Sequence, residues 1–186
     1  MKNSYLNSIK KQFEYYKSLG DKTFAQLSEK EMFEQLNDNS NSVAIIIKHI
    51  VGNMLSRWTN FLTEDGEKSW RNRDDEFINT YKTKSDVLNA WEKGWQCLFD
   101  AINPLVESDL EKIIYIRNQG HTVTEAISRQ LCHYSYHVGQ IVFIGKLIKK
   151  EEWKSLSIAK MHQRLIMTKS LINTNQENIL QKIYNG

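Results

Sequence analysis

The sequence predicts an all-α protein in the form of a four-helix bundle, and three observations lead to that fold class. Four stretches of the 186-residue chain place apolar residues at the spacing of an amphipathic helix. Residues that favour helix starts precede two of these stretches, at 39–42 and at Thr122. The single proline, Pro104, stands just after the third stretch, where it stops the helix. Amphipathic helices bury their apolar faces against one another, so a bundle is the simplest arrangement.

The first two predicted helices lie in the N-terminal third of the chain. The first spans about residues 4–27, and Gly20 is a candidate position for a kink or an interruption. The second begins after the Asn-Ser-Asn-Ser segment at 39–42 and continues to Leu62. The polar segment 63–77 that follows is long for a connection, which predicts a function or some local order of its own.

The third predicted helix and the segment after it carry different patterns. Within residues 85–102, apolar residues recur at helical spacing and form one face, which consists of Leu88, Trp91, Trp95, Leu98 and Ile102. Residues 112–123 instead place apolar residues on both sides of a turn at 118–120, around Asn-Gln-Gly. This pattern predicts a short β-hairpin before the fourth helix.

The fourth predicted helix covers residues 122–149. Thr122 and Glu125 have the spacing of a capping box, in which each side chain bonds to the backbone N–H of the other residue. The chain then divides into a bundle at 1–158 and a C-terminal extension at 159–186. The extension is weakly helical in pattern, and we expect it to be helical or partly disordered.

Composition and charge exclude several classes of protein. Apolar residues make up 40% and charged residues 25%, as in ordinary globular domains, and the net charge of +3 is too small to indicate a nucleic-acid partner. The longest apolar run, at 43–47, is too short to cross a membrane, and the N-terminus lacks the apolar block of a signal peptide. The two cysteines offer no disulfide framework. The sequence therefore predicts a cytoplasmic protein without a nucleic-acid or membrane partner.

The candidate functional residues are three histidines in apolar helical segments. His133 and His137 are four residues apart, so they face the same side of the fourth helix and can bind one ion. His49 lies among isoleucines in the second helix and is the candidate third ligand, because bundles build metal sites from inward side chains on facing helices. The alternative is that all three are core histidines bonded to neighbours. The segment between the pair lacks the glutamate of His-Glu-x-x-His, which argues against a zinc peptidase.

Four long blocks of the sequence resemble those of a known family and occur in the same order along the chain. These blocks are 43–77, 90–102, 121–142 and 151–158. They resemble the DinB/YfiT-like superfamily of four-helix-bundle metalloproteins, and within it a subfamily of unassigned function. The resemblance implies a DinB/YfiT-type bundle with a hairpin before the fourth helix, while the C-terminal extension is atypical. In the superfamily, one histidine of helix two and a His-x-x-x-His pair of helix four hold a metal ion. The matching positions here are His49, His133 and His137.

Characterised relatives in that superfamily include bacillithiol S-transferases and a mycothiol-dependent maleylpyruvate isomerase. The resemblance therefore implies an enzyme in which one divalent ion, Zn or Ni first and Mn or Fe otherwise, lowers the pKa of a small-molecule thiol for attack on an electrophilic substrate. Two alternatives stay open: a metal-dependent hydrolase that uses a metal-bound water, and a non-catalytic bundle that binds a metal or ligand. A homodimer is a further expectation, because bundles with aromatic-rich faces often pair.

Several polar or aromatic residues near the histidines are candidates for substrate binding, namely Asn53, Arg57, Trp58 and Gln140. Arg57, with Arg71 and Arg73 of the segment 63–77, is a candidate partner for a substrate carboxylate. Gln140 lies one turn from the histidine pair, on the same face as Gln130, so either side chain is also a candidate for a hydrogen bond to a metal ligand.

Overall fold

The structure, a computed structural model, describes residues 4–157, and the predicted extension at 159–186 lies outside the described residues. The described helices are α1 (Ser4–Phe24), α2 (Glu29–Phe33), α3 (Val43–Trp58), α4 (Lys84–Ile102) and α5 (Val123–Lys149). Two strands, β1 (Ile113–Ile116) and β2 (Gln119–Thr122), form an antiparallel pair between α4 and α5. Short 3₁₀ turns occur at Asp74–Phe77, Glu107–Asp109 and Lys150–Glu152. The all-α prediction is therefore confirmed at the level of mostly helical structure with one small sheet.

The four long helices belong to one structural unit, Met1–Trp153, and bury a shared apolar core. Helix α3 packs against α4 and α5, and α1 packs against α5 and α4. At the centre, the ring of Trp95 lies 6.3 Å from that of Phe13 and 6.0 Å from that of Tyr134, in tilted or edge-on contact. All three rings are fully buried, and each apolar side chain so placed stabilises the fold by about 1.5–3 kcal/mol.

Local sequence signals explain where the helices begin. Ser42 lies in the segment predicted to start this helix, and its side chain accepts a hydrogen bond from the backbone N–H of Ile45. Thr122 and Glu125 form the predicted capping box at the start of α5. The same motif, formed by Ser28 and Glu31, starts α2. Helix α2 is not among the predicted helices, because five residues are too few to show a helical repeat.

Two predicted helix ends are wrong. Helix α3 ends at Trp58 instead of Leu62, because the chain turns at Asn60, whose φ of 50° is a left-handed conformation that asparagine tolerates. Helix α1 ends at Phe24 instead of residue 27.

The predicted interruption at Gly20 is also wrong, since α1 continues through this residue. A Cβ atom at Gly20 would lie 2.5 Å from the ring of Trp91. This glycine therefore permits the close approach of α1 to α4.

The hairpin is present, but its turn lies one residue earlier than predicted. Ile116 pairs with Gln119, so the turn consists of Arg117 and Asn118, with φ values of 55° and 61°. Two consecutive left-handed residues make the two-residue hairpin turn whose twist matches the strands. Gly120, which suggested the turn in the sequence, instead pairs with Tyr115 in the strand.

The connection between α3 and α4, residues 59–83, is tied to this hairpin. The carboxylate of Asp65 accepts hydrogen bonds from the backbone N–H groups of Arg117 and Asn118, at 2.8 and 2.7 Å. The backbone N–H of Gly66 donates to the carbonyl of Tyr115 at 2.8 Å. The segment is therefore held against the hairpin, and its 3₁₀ turn at Asp74–Phe77 packs against α3. Among the described helices, none combines the length and apolar character needed to cross a membrane.

Candidate metal centre

The structure brings the three predicted histidines together. His133 and His137 lie one turn apart on α5, and His49 faces them from α3. The Nε2 atom of His133 is 3.1 Å from Nε2 of His137 and 3.3 Å from Nε2 of His49. The three potential ligand atoms all lie within 4.8 Å of one another. His49 is buried, and the pair on α5 is half-buried.

A carboxylate that sequence reasoning missed holds His49 in place. The Nδ1 atom of His49 is 2.9 Å from Oε2 of Glu76, in the 3₁₀ turn of the long connection. Arg71 binds both oxygens of the same carboxylate, through Nε at 2.7 Å and a terminal nitrogen at 3.0 Å. Although burial alone would raise the pKa of Glu76, its bonds to His49 and Arg71 hold that pKa below the ordinary value. Glu76 is therefore ionised at neutral pH and can only accept.

Hydrogen bonds on the far side of two rings orient them. Because Glu76 accepts, Nδ1 of His49 donates, and Nε2 is the nitrogen that faces His133. On α5, Nδ1 of His137 is 2.8 Å from the side-chain amide of Gln140, which leaves Nε2 of that ring facing His133. The three Nε2 atoms therefore converge, which is the arrangement that a cation would complete.

Burial keeps the pair on α5 uncharged. Burial, together with the neighbouring rings of His137 and His49, lowers the pKa of His133 to about 3. Burial also lowers the pKa of His137, although the bond to Gln140 opposes the change. Both imidazoles are therefore neutral at physiological pH, the state in which they bind metal ions.

Two of the three nitrogen separations suit a metal ion. Two nitrogens at about 2.0–2.1 Å from a tetrahedral Zn²⁺ are about 3.3–3.4 Å apart. The measured separations from His133, 3.1 and 3.3 Å, are close to this value. Three neutral nitrogen donors could hold Zn²⁺ or another ion that accepts imidazole, and would leave a coordination position open.

A cavity of about 170 Å³ opens beside the histidines. Its lining residues are His49, Asn53, Arg57, Arg71, Arg73, Arg117, Arg129, Gln130 and His133. Of the predicted substrate-binding residues, Asn53 and Arg57 line this cavity. Trp58 does not, and contributes instead to an apolar groove between α3 and α4. Gln140 also lies outside the cavity lining and bonds to His137.

Buried hydrogen bonds fix one wall of the cavity. The indole N–H of Trp58 donates to the hydroxyl of Tyr134 at 3.0 Å, and that hydroxyl donates to Oδ1 of Asn53 at 3.0 Å. Tyr134 is fully buried, and burial raises the pKa of its hydroxyl, so the group stays protonated and able to donate. Trp58 thus acts on the site through Tyr134, without facing it.

The residues that sequence reasoning missed come from parts of the chain without a recognisable motif. Glu76 is one of six acidic residues in the segment 63–77, and nothing in the sequence separates it from the others. Arg117 and Arg129 come from the hairpin turn and from α5. Only the unusual length of the segment 63–77 signalled that it had a role.

Comparison with known proteins gives one family. No curated protein matches this chain. Residues 1–162 match the family described as "Protein of unknown function (DUF1572)". This match includes the three histidines, the long connection that carries Glu76 and all of α5. The chain therefore belongs to the DUF1572 family.

Proposed function

We propose that this protein is a divalent-metal-dependent enzyme of the DinB/YfiT-like superfamily, with the four-helix arrangement of that group, and that it acts as a thiol S-transferase. Membership of DUF1572 and the mostly helical fold support the superfamily assignment. The observation that carries the proposal is the convergence of three Nε2 atoms, two of which belong to residues that line a cavity.

The residues around the histidines prepare them to hold an ion. Glu76 fixes the ring of His49, and Gln140 fixes that of His137, so neither ring has to reorient. Arg71 in turn fixes Glu76. A bound divalent ion would supply a Lewis acid that lowers the pKa of a thiol at the open position. The preferred ions are Zn or Ni, with Mn or Fe as alternatives.

The proposed reaction is the transfer of a small-molecule thiol to an electrophile. The thiol loses its S–H proton to solvent, its sulfur forms a bond to the electrophilic carbon, and the leaving group departs with the electron pair of the broken bond. The chain contributes positioning, since Asn53 and Arg57 line the cavity next to His49 and His133. The partners are therefore a thiol and an electrophilic small molecule.

The geometry gives less support to the alternatives. A metal-dependent hydrolase needs a base for the attacking water, and both oxygens of Glu76 are already engaged by His49 and Arg71. A bundle that only held a metal ion would not need an open cavity at the ligands, yet His49 and His133 line one. A non-catalytic bundle that binds a ligand in this cavity stays an alternative, which the transfer assay decides. The cytoplasmic location and the homodimer stay predictions.

Metal content and thiol transfer, measured together, test this proposal. The wild-type chain is freed of metal, reconstituted with Zn, Ni, Mn or Fe, and assayed with several small thiols and an activated aryl halide. We expect about one ion per chain and metal-dependent transfer, and loss of both in His133→Ala. The matched control is His121→Ala in β2, which removes a histidine outside the cluster and should change neither.

The outcomes separate the three functions. If no ion binds after reconstitution, the metal centre and the enzyme proposal are both wrong. Binding with no transfer across the thiol panel would favour the non-catalytic alternative. Ester hydrolysis that needs the metal but no thiol would favour the hydrolase.

A further inference from the structure

We propose that the cavity beside the histidines binds an oxyanion, a carboxylate or a phosphate group, and that the substrate of this protein is therefore a small acid. The assignment of this anion as part of the substrate rests on the function proposed above. The anion site itself rests on the arginines of the cavity, which do not depend on a metal.

The lining of the cavity has an excess of positive charge. Five arginines line it, namely Arg57, Arg71, Arg73, Arg117 and Arg129. Two carboxylates neutralise part of that charge. Glu76 pairs with Arg71, while Glu67 pairs with Arg57 at 3.2 Å and with Arg117 at 3.0 Å.

Two of the arginines have no partner of their own. Within residues 4–157, neither Arg73 nor Arg129 forms an ion pair or a hydrogen bond through its side chain. They reach the cavity from two different elements, the long connection and α5. Both residues are exposed, and both line the same small cavity. Their charge is available to a ligand that enters it.

The buried wall of the cavity also has unused hydrogen-bonding groups. The Nε of Arg57 and one terminal nitrogen of Arg71 are buried without a hydrogen-bond partner. The Arg71 nitrogen is 3.7 Å from Glu67, which is too long for a hydrogen bond, and the Arg71 side chain is only 2% exposed. The side-chain oxygen of Gln130, a residue that is 2% exposed, is unpartnered as well. Buried polar groups are nearly always satisfied, so this cluster indicates a ligand.

The chemistry of these groups selects the class of ligand. Guanidinium groups bind carboxylates and phosphates through paired N–H donors, which match the two or three oxygens of such anions. The amide of Gln130 can turn to present its N–H₂ group or its oxygen. The cavity, of about 170 Å³, accommodates one acidic group with a short stem.

The position of the cavity connects the anion to the candidate centre. His49 and His133 form part of the same lining as the arginines. A substrate whose acidic end is held by the arginines would therefore present its other end at the histidines. This arrangement would make the acid group a determinant of specificity, because a neutral analogue leaves the arginines unsatisfied.

Calorimetric titration of the full-length chain tests the site directly. Inorganic phosphate and malonate are titrated separately, at constant ionic strength, into the protein as purified and after removal of metal with a chelator. We expect saturable binding of at least one anion in both preparations. The anion that binds more tightly identifies the preferred group as phosphate or carboxylate.

Variants of the two unpaired arginines provide the decisive comparison. Arg73→Gln and Arg129→Gln should each weaken binding by about tenfold, because each removes one charge-assisted contact and breaks no ion pair of the fold. The matched control for Arg129 is Lys146→Gln, which removes an exposed charge from the same helix away from the cavity. No binding of either anion, or equal binding by the arginine variants and the control, would overturn the proposal.

His133→Ala separates this proposal from the metal-dependent function. It should retain anion binding even when it has lost metal, because all five arginines remain. If the variant loses anion binding while its circular dichroism spectrum is unchanged, the anion depends on the histidines, and the arginine site is wrong. If the wild-type chain binds the anion but binds no metal after reconstitution, the anion site is supported and the proposed metal-dependent function is wrong.

Discussion

The hydrogen bond of 2.9 Å between Nδ1 of His49 and Oε2 of Glu76 joins the helix α3 to the long connection that follows it. Both side chains are buried, with 7% and 6% of their area exposed. A carboxylate behind a histidine in this way sets which ring nitrogen carries the proton and how the ring is oriented. The candidate centre thus depends on a residue that is 27 positions away from His49 in the chain.

Replacing this carboxylate should weaken metal binding without removing a ligand. Glu76→Gln keeps the shape of the side chain but loses the charge that fixes the proton on His49. We expect metal affinity to fall by about 10–100-fold, measured by competition with a chelator of known affinity. Asp75→Asn, at an exposed neighbouring position, is the control and should bind metal normally. Equal affinities in the two variants would show that Glu76 does not orient His49.

The metal-free protein should lose stability as the pH falls. The pKa of His133 is lowered to about 3 in the folded chain, against about 6.5 when unfolded. The unfolded chain therefore binds more protons between these values, and the stability present above about pH 6.5 is lost as the pH falls toward 3. We expect the free energy of unfolding to fall by about 1–2 kcal/mol between about pH 7.5 and 5, measured by urea denaturation.

A His133→Gln variant isolates this contribution. It removes the titrating ring, so its unfolding free energy should change less over the same pH interval. His137 also has a lowered pKa, which leaves part of the dependence in place. A variant with the same slope as the wild-type chain would mean that His133 is not the group responsible.

Two glycines in long helices should respond to alanine in opposite ways. A Cβ atom at Gly52 in α3 would collide with the carboxylate of Glu76, whereas one at Gly139 in α5 would meet nothing within 4 Å. Gly52→Ala should therefore destabilise the protein by about 1–3 kcal/mol and weaken metal binding. Gly139→Ala should stabilise it by about 0.5–1 kcal/mol, because alanine is the better helix former. Thermal denaturation measures both, and a similar response at the two positions would contradict the close packing of Glu76 on α3.

Removing one hydroxyl should disturb the wall of the cavity. Tyr134→Phe deletes the group that accepts from Trp58 and donates to Asn53, which leaves two buried partners unsatisfied. We expect a loss of about 1–3 kcal/mol in the free energy of unfolding, measured with urea. The control is Tyr136→Phe, at a side chain that is 63% exposed on the same helix, and it should change the stability little. A loss of the same size in both variants would contradict a specific role for the buried hydroxyl.

The sequence predicts most of the helices and brings the three histidines to one place, because both follow from the repeat of apolar residues. The spacing of His133 and His137 determines that they share a face, and the isoleucines around His49 indicate that it points inward. Glu76 cannot be found this way, since its position depends on how the segment 59–83 folds back over α3. Helix ends were predicted less well. The end of α3, for example, depends on the left-handed conformation of Asn60, which the spacing of apolar residues does not indicate.

The hydrogen bonds from Asp65 to the hairpin turn have a consequence for the centre as a whole. They anchor the first third of a connection of 25 residues, a kind of segment that is expected to open early in native-state hydrogen exchange. Arg71 and Glu76 lie on that connection, so the hairpin limits how far they can drift from α3. The turn at Arg117 and Asn118 thus takes part in the rigidity of the site, in addition to the place of Arg117 in the cavity lining. Changes in the hairpin can then shift Arg71 and Glu76 through the tethered connection, a form of long-range coupling.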